Sequence, residues 1–238
     1  MTDNKFSHKC ATCPTRHKTE WRDLSAPELE IVEQAKHARE YEPGEIIFSQ
    51  GDTGSGVYCI QKGLVGARYI DVDGNSALLR LNGAGSTVGY RAFLAKQPHN
   101  SSAEVLSPSF ICFIEGAALT KLLIASPQVG ERFLQHAVAD IGNTEALYAR
   151  SLTGSVKSKF LHLIMVFYKQ HGFQDVSGSL RVELPVSRTD IAAMIGVQPE
   201  SISRLVRTLQ NDGLLQFEGR KVLIADMNAI LYEAGLTL

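Results

Sequence analysis

Apolar residues recur at helical spacing between Ser187 and Leu215, and this pattern predicts two short helices joined at Gly196. Ser187 is expected to cap the first helix, with Asp190 completing a capping box three residues later. Gly196 is expected to end that helix, because glycine adopts the left-handed conformation of a helix C-terminus at little cost. Pro199 suits the first turn of the second helix, where its missing N–H is not needed.

The second predicted helix carries two stripes of opposite character. Its apolar stripe, expected to face a core, consists of Ile202, Leu205, Val206 and Leu209. The opposite side carries carboxylate, hydroxyl and guanidinium groups, from Glu200, Ser203, Arg204 and Arg207. Such a set is typical of a helix that reads base edges in a DNA major groove. The alternative is the ordinary polar face that any surface helix exposes.

A β-hairpin is predicted directly after the two helices. Leu214–Glu218 and Lys221–Ile224 have strand character, and a Gly219-Arg220 turn separates them. Together the helices and hairpin predict a winged helix-turn-helix. The residues expected to contact DNA are Ser187, Arg188, Thr189, Gln198, Glu200, Ser201, Ser203, Arg204, Arg207, Arg220 and Lys221.

The pattern changes twice before this region. A capping box at Ser25 and Glu28 predicts a helix over roughly residues 25–38. From 45 to about 115, short apolar runs such as 46–48, 57–61, 64–70, 77–81 and 109–115 alternate with turn residues, which predicts an antiparallel barrel or jelly roll.

Helical periodicity returns at Pro127 and lasts about seven turns. The residues expected on one broad face are Val129, Phe133, Ala137, Ile141, Tyr148 and Leu152. A helix of this length between two domains is typical of dimers in which it pairs with its own copy. The alternative is a helix packed on its own barrel.

Composition is that of an ordinary soluble globular protein, with 44% hydrophobic and 21% charged residues in a chain of 238. No apolar run approaches the about 18 residues of a membrane span, and the N-terminus lacks the apolar core of a signal peptide. Four cysteines do not make a disulfide framework, so a reducing cytoplasm is expected.

Charge does not by itself indicate a nucleic-acid partner. Residues 153–238 contain nine Lys/Arg and eight Asp/Glu, a net charge of only +1. Phosphate binding would therefore depend on the local placement of a few cations rather than on a basic domain.

These predictions combine into an α+β chain with four parts. An N-terminal cysteine-containing segment (1–24) precedes a β-roll sensor domain (25–126), a dimerisation helix (127–153) and a winged helix-turn-helix DNA-binding domain (154–238).

This order of parts resembles the Crp/Fnr family of bacterial transcription regulators. The resemblance is strongest at Pro43-Gly44-Glu45 and Gly51-Asp52, at Gly63 in the next expected turn, and in the segment Glu200-Ser-Ile-Ser-Arg204. Within the family, Glu-x-x-Ser-Arg marks the branch of the fumarate–nitrate reduction regulator. The cyclic-AMP receptor branch instead has an Arg immediately before the Glu, where this chain has Pro199.

The resemblance implies a homodimer that binds a palindromic operator and works with RNA polymerase. Glu200, Ser203 and Arg204 would read a half-site resembling TTGAT, repeated as an inverted copy. The β-roll would be the sensor, as the family's nucleotide-binding domain is.

Cyclic AMP is not expected as the ligand of that roll. The family's nucleotide binders carry Gly-Glu and then Arg-Ser/Thr about ten residues later, whereas this chain has Gly89-Tyr90 and Asn100-Ser101-Ser102. The ribose carboxylate and the phosphate guanidinium are both missing from the motif. The corresponding effector pocket is expected to consist of Gly89, Tyr90, Arg91, His99, Asn100, Ser101 and Ser102, filled by Tyr90 or re-purposed for another small molecule.

An iron–sulfur cluster is a second candidate for the sensor. The family branch holds its cluster with three N-terminal cysteines and a fourth cysteine in the last strand of the roll. In this chain Cys10, Cys13 and Cys112 match three of these positions, but the third N-terminal position falls near Thr19, which is not a ligand. His17 is a candidate substitute ligand. A zinc site with His8 and His17, a Cys10–Cys13 disulfide and a buried core role for Cys112 are alternatives, and Cys59 is interpreted as strand interior.

Haem is the third candidate, because Cys13-Pro14 resembles a short haem-responsive pattern. The expected function is thus a DNA-binding regulator that responds to a redox, oxygen or nitric oxide signal. The alternatives are a cofactor-free or small-molecule-responsive member of the same family and a redox or metal-binding protein centred on the CxxC. No catalytic motif is present in the sequence, so an enzyme is not expected.

Overall fold

The computed structural model describes residues 9–176 and 178–235, so His8 lies outside the described residues. The chain divides into two compact units, residues 1–142 and 143–238. The first is built on an antiparallel sheet and the second contains a helix-turn-helix, which confirms the α+β class. None of the described helices combines the length and the apolar character needed to cross a bilayer.

The first unit begins with two 3₁₀ turns that carry the N-terminal cysteine motif. Its helices are α1 (Ala26–Gln34), α2 (Tyr90–Ala95), α3 (Gly116–Ala125) and the start of α4 (Pro127–Thr153). Its strands are β1 (Lys36–Tyr41), β2 (Ile46–Phe48), β3 (Gly56–Ile70), β4 (Ser76–Gly83), β5 (Thr87–Val88) and β6 (Ser102–Glu115).

Strands β3 and β6 are the long central pair of the sheet. The strand order is β1-β6-β3-β4, with β2 added to β6 and β5 added to β3, and all the pairings are antiparallel. In this register Cys59 lies directly opposite Cys112. Directly opposed residues of an antiparallel pair project from the same face, so these two cysteines are neighbours.

The prediction for the first helix is wrong at its C-terminal end. The capping box at Ser25 and Glu28 is present, but α1 ends at Gln34, and Lys36–Tyr41 forms strand β1 instead of another helical turn. The reason is nonlocal, because β1 is held by pairing with β6 over its whole length, from Lys36 opposite Ile114 to Tyr41 opposite Ser109. The separate runs predicted at 57–61 and 64–70 are likewise one strand, β3, with register shifts between Ile60 and Val65.

Two apolar clusters lie on the two faces of the sheet. One packs inside the roll and includes Ile60, Val65 and Ile111. The other joins the N-terminal segment and the helices to the opposite face, through Trp21, Leu24, Val32, Val57, Cys59, Tyr90, Ile114, Leu119, Leu122, Val129 and Phe133. Val129 and Phe133 of α4 are thus buried on their own roll, whereas Ile141, predicted on the same broad face, is exposed.

The second unit is a helix-turn-helix flanked by a small sheet. Besides the end of α4 it contains helices α5 (Val156–His171), α6 (Arg188–Ile195), α7 (Pro199–Asn211) and α8 (Met227–Glu233). Strands β7 (Phe173–Gln174), β8 (Leu180–Glu183), β9 (Leu215–Glu218) and β10 (Lys221–Ile224) form one antiparallel sheet in the order β7-β8-β10-β9. The predicted hairpin is present as β9 and β10.

Gly63, in the middle of β3, is expected to tolerate no side chain. Its φ is +100°, and an added Cβ would lie 2.6 Å from the Cα of Ser109 on β6. We expect Gly63→Ala to lower the free energy of unfolding by about 2–4 kcal/mol, measured by urea denaturation. Gly74→Ala is the matched control, since Gly74 has a φ of +82° with nothing within 4 Å and should lose only about 1–2 kcal/mol. Equal losses for the two variants would refute a steric role for Gly63.

Candidate functional site

The helix-turn-helix is fixed by local interactions at its joint. The hydroxyl of Ser187 accepts a hydrogen bond from the backbone N–H of Asp190 at 3.0 Å, and the Asp190 carboxylate accepts one from the Ser187 backbone at 3.2 Å. Gly196 ends α6 in the left-handed conformation, with a φ of +70°. Pro199 then occupies the first turn of α7. The joint therefore has the geometry that the sequence predicts.

Helix α7 separates its two stripes by burial. Ile202, Val206 and Leu209 are buried and Leu205 is half-buried, whereas Glu200, Ser203, Arg204 and Arg207 are all exposed. Within the described residues neither Arg204 nor Arg207 has a carboxylate partner, so both guanidinium groups are available to a ligand. The Ser203 hydroxyl donates to the carbonyl of Pro199 at 3.2 Å and keeps its lone pairs for further bonds.

The remaining predicted DNA contacts surround this helix. Gln198, Arg188, Thr189, Arg220 and Lys221 are exposed, and Ser187 and Ser201 are half-buried. A cleft of about 290 Å³ is lined by Ser187 and Arg188 at the start of α6 and by Gly219 and Arg220 at the hairpin tip. The start of α6 and the hairpin tip are therefore close together, and each contributes one arginine, Arg188 and Arg220, to the lining of the cleft.

The seven residues predicted for an effector pocket line one cavity of the first unit. The cavity has a volume of about 210 Å³, and its lining includes Gly89, Tyr90, Arg91, His99, Asn100, Ser101 and Ser102. His99 stacks on Phe48 with ring centroids 3.8 Å apart, and burial lowers its pKa, which favours the neutral imidazole.

Sequence reasoning missed two charged residues of this cavity, Arg80 and Asp140. They bring one guanidinium and one carboxylate to the lining, but these two groups form an ion pair with each other. The Tyr90 hydroxyl donates to Asp140 at 2.6 Å, and the Tyr90 ring stacks on His136. Burial, followed by the bond to Asp140, raises the pKa of Tyr90. Tyr90 thus fills part of the cavity and ties it to α4.

All four cysteines of the chain line a second, smaller pocket of the first unit. Cys10 and Cys13 come from the first 3₁₀ turn and its C-cap, Cys59 from β3 and Cys112 from β6. His17 is exposed and is not among the residues that line the pocket. The pocket encloses about 30 Å³, close to the volume of one water molecule.

Lys36 and Glu33 hold the cysteine segment against the sheet. Glu33 accepts a hydrogen bond from the Cys10 backbone at 2.6 Å and pairs with Lys36 at 2.8 Å. The Lys36 ammonium also lies 3.7 Å from the Cys10 sulfur. Burial raises the pKa of Cys10 to about 12 and that of Cys112 to about 11, so both are protonated thiols at neutral pH. Such thiols are poor nucleophiles.

The donor set of this pocket was tested against metal binding. Four thiols form the ligand set that iron–sulfur clusters and structural zinc take in proteins. In the described part of the chain, however, no three Cys, His, Asp or Glu side chains are placed to hold one metal ion. The described arrangement therefore argues against a mononuclear zinc site. The pocket of about 30 Å³ is also too small to enclose four irons and four sulfides as it stands.

Comparisons with known proteins find one matching family model in each unit. Residues 38–126 match the family described as "Cyclic nucleotide-binding domain", and residues 159–231 match the "Crp-like helix-turn-helix domain". Together the two matches cover most of both units.

Curated relatives match almost the whole chain. The transcriptional activator protein FnrL of Cereibacter sphaeroides is 23% identical over 96% of this chain and 92% of its own length. The anaerobic regulatory protein of Pasteurella multocida is 26% identical over 87% of this chain and 74% of its own length. The solved structure of FixK2 from Bradyrhizobium japonicum shares the fold with a TM-score of 0.74 at 19% identity, covering 85% of this chain and 99% of that one.

Proposed function

This chain belongs to the Crp/Fnr family of DNA-binding transcription regulators, and on that premise we propose that it is a homodimer that binds a TTGAT-like inverted repeat in response to a redox, oxygen or nitric oxide signal. The observation that carries the proposal is the exposed stripe of α7, with Glu200, Ser203 and Arg204 unobstructed on a helix whose other face is buried. The protein acts by binding rather than by catalysis, and RNA polymerase is the expected partner at the promoter.

Each group of the stripe has a defined use in a major groove. An arginine donates two hydrogen bonds to guanine O6 and N7, and a glutamate accepts a hydrogen bond from the amino group at cytosine N4. A serine hydroxyl can bond to a donor or an acceptor on a base edge. Arg204 and Glu200 would therefore read bases, while Arg188, Arg220 and Lys221 would hold phosphates. This division explains how a domain with a net charge near zero can bind DNA.

The dimer would form along α4. Exposed apolar residues recur along this helix every three or four positions, at Leu134, Val138, Ile141, Tyr148 and Leu152, each more than half exposed. With Glu145 included between Ile141 and Tyr148, the positions are separated by alternating steps of four and three residues. This is the heptad spacing of helices that pair with one another, and Glu145 is the one polar residue in the series. A large apolar stripe of this kind is unstable in water without a partner. A two-fold pairing also suits a palindromic operator.

The signal would enter through the cysteine pocket. Cys10, Cys13 and Cys112 are candidate ligands of an iron–sulfur cluster, and a bound cluster supplies redox chemistry. Glu33 of α1 accepts a hydrogen bond from the Cys10 backbone, so a change at the pocket would alter how the cysteine segment packs on α1. The chain's residues support the two other candidates less well. Haem is indicated only by the dipeptide Cys13-Pro14, and the guanidinium for a cyclic phosphate, Arg80, is already paired with Asp140. The pocket of about 30 Å³ would have to open for either a haem or a cluster.

The test is operator binding by protein purified without oxygen. We expect binding to a TTGAT inverted repeat at least about 1,000-fold tighter than to a scrambled duplex at the same salt concentration, with two chains per duplex and weaker binding after exposure to air. Fluorescence anisotropy and sedimentation measure the affinity and the stoichiometry. Equal affinity for the repeat and the scrambled duplex would refute specific recognition. Equal affinity before and after air would refute the oxygen response and favour a small-molecule ligand or control by abundance.

A further inference from the structure

A lysine of the first unit is buried against a cysteine. Lys36 is the first residue of β1, and its side chain is only 7% exposed. Its ammonium nitrogen lies 3.7 Å from the sulfur of Cys10, which begins the first 3₁₀ turn. Taking an ammonium out of water is costly, and an ion pair at the surface would anchor the segment with less desolvation. The burial of Lys36 therefore points to a use that depends on its contact with the thiol.

Glu33, in the last turn of α1, contacts both members of this pair. One of its carboxylate oxygens lies 2.8 Å from the Lys36 nitrogen, and the other accepts a hydrogen bond from the backbone N–H of Cys10 at 2.6 Å. These two bonds hold the amine and the cysteine in place relative to one carboxylate. The carboxylate is also a proton acceptor directly beside the amine.

The amine and the thiol border a space for one small molecule. Cys10 and Lys36 both line the pocket of about 30 Å³, which is close to the volume of one water molecule. A molecule of two heavy atoms, such as dioxygen, matches a space of this size. The other sulfurs have different neighbours, since a hydroxyl lies 3.4 Å from Cys13 and an indole N–H donates to Cys59 at 2.9 Å. Cys10 is therefore the thiol that an oxidant in this pocket meets beside the Lys36 amine.

We propose that Cys10 and Lys36 are the two ends of a redox-sensitive cross-link, in which one oxygen atom joins the Cys10 sulfur to the Lys36 nitrogen. The inference rests on the proposed redox function, because the cross-link gives the cluster-free chain its own response to oxygen. It fixes the N-terminal segment covalently to the start of β1. In the reduced chain, noncovalent contacts hold the same segment.

Dioxygen is the oxidant, and the atoms and electrons of the step balance. The O–O bond, the S–H bond and two N–H bonds of the ammonium break, and one S–O bond and one N–O bond form. One oxygen atom stays in the bridge, and the other leaves as water with two of the three released hydrogens. The third leaves as a proton, which Glu33 is placed to accept. Sulfur and nitrogen each lose two electrons, and dioxygen gains four.

Mass spectrometry of the full-length protein, purified without oxygen and freed of metal, tests the cross-link. Because burial raises the pKa of Cys10 to about 12, the protonated thiol is expected to react slowly, and a time course in dioxygen-saturated buffer follows it. The intact mass should rise by about 14 Da, from the gain of one oxygen and the loss of two hydrogens. Excess dithiol should restore the original mass, since it returns the four electrons.

Peptide mapping of the wild type locates the cross-link without any dependence on how a variant folds. Trypsin cleaves after a free lysine but not after a bridged one, so cleavage after Lys36 should be lost. The expected product joins residues 10–16 to residues 23–39. A gain of about 16 or 32 Da on Cys10 alone, or disulfides as the sole product, would overturn the proposal.

Lys36→Arg and Cys10→Ser are the decisive variants, and Lys9→Arg and Cys13→Ser are their matched controls. Arginine keeps a cation for Glu33 but has no primary amine to bridge. Lys9 and Cys13 line the same pocket, so both controls should still gain about 14 Da, whereas neither decisive variant should. The same gain in Lys36→Arg or Cys10→Ser would assign the added mass to other groups.

Operator binding separates this inference from the proposed function. The cross-linked wild type is expected to bind the TTGAT repeat at least about fivefold more weakly than the same protein after dithiol treatment, and Lys36→Arg should not respond to dioxygen. If the reduced protein binds the repeat specifically but no cross-link forms, the DNA-binding proposal stands and this inference is wrong. If the cross-link forms but neither state recognises the repeat, the operator assignment is wrong. Equal affinity of the two states for the repeat would refute the regulatory role of the cross-link.

Discussion

Replacing Ile141 with aspartate is expected to convert the protein to a monomer and to weaken operator binding by about 100-fold or more. Ile141 is 58% exposed and lies in the centre of the heptad stripe on α4. Burying an isoleucine contributes about 1.5–3 kcal/mol, and a two-fold dimer contains the substitution twice. The aspartate would also place two like charges in an apolar seam. A monomer binds one half-site at a time, so it loses the gain in affinity of about 100- to 10,000-fold that comes from joining two binding modules.

Leu147→Asp is the matched control for this prediction. Leu147 lies on the same helix and is 51% exposed, but its position falls outside the stripe of Leu134, Val138, Ile141, Tyr148 and Leu152. This variant should remain dimeric and bind the operator like the wild type. Sedimentation equilibrium and anisotropy report the two properties. A dimeric Ile141→Asp protein with normal operator affinity would show that α4 is not the dimer interface.

Replacing Arg204 with alanine is expected to cost about 1–3 kcal/mol of operator affinity, a loss of about 5- to 150-fold, with relaxed specificity at one base pair of each half-site. The guanidinium is exposed on α7 and, within the described residues, has no acidic partner, so its two parallel donors are free to bind a guanine edge. Arg204→Lys should recover little of the specificity, because an ammonium cannot form the two-bond contact. Affinities for the repeat and for single-base variants of it measure both effects.

Arg220→Ala distinguishes base reading from charge. Arg220 is exposed at the tip of the hairpin, so its loss should weaken binding to every DNA sequence about equally. The slope of the logarithm of the binding constant against the logarithm of the salt concentration should become shallower by about one, the value for one lost phosphate contact. Uniform weakening in Arg204→Ala, with the base preference unchanged, would assign Arg204 to phosphate instead.

The helix-turn-helix could be predicted residue by residue because its signals are local. The Ser187–Asp190 capping box, the left-handed Gly196 and the proline at the start of α7 each act within a few residues of the chain. The stripes of α7 follow from helical periodicity alone. Strand β1 could not be predicted in this way, since Lys36–Tyr41 has no apolar alternation and is extended only because β6 pairs with it.

The sequence by itself determined the α+β class, the helix-turn-helix with its hairpin and the exposed polar stripe of α7, because each depends on short-range hydrogen bonding and hydrophobic periodicity. The tertiary structure alone decided which distant groups meet. It buried Val129 and Phe133 on the roll while leaving Ile141 exposed, and it paired Arg80 with Asp140 in the lining of the cavity that contains Tyr90. It also placed Cys59 with the other thiols, because strand register, which no local pattern encodes, sets Cys59 opposite Cys112.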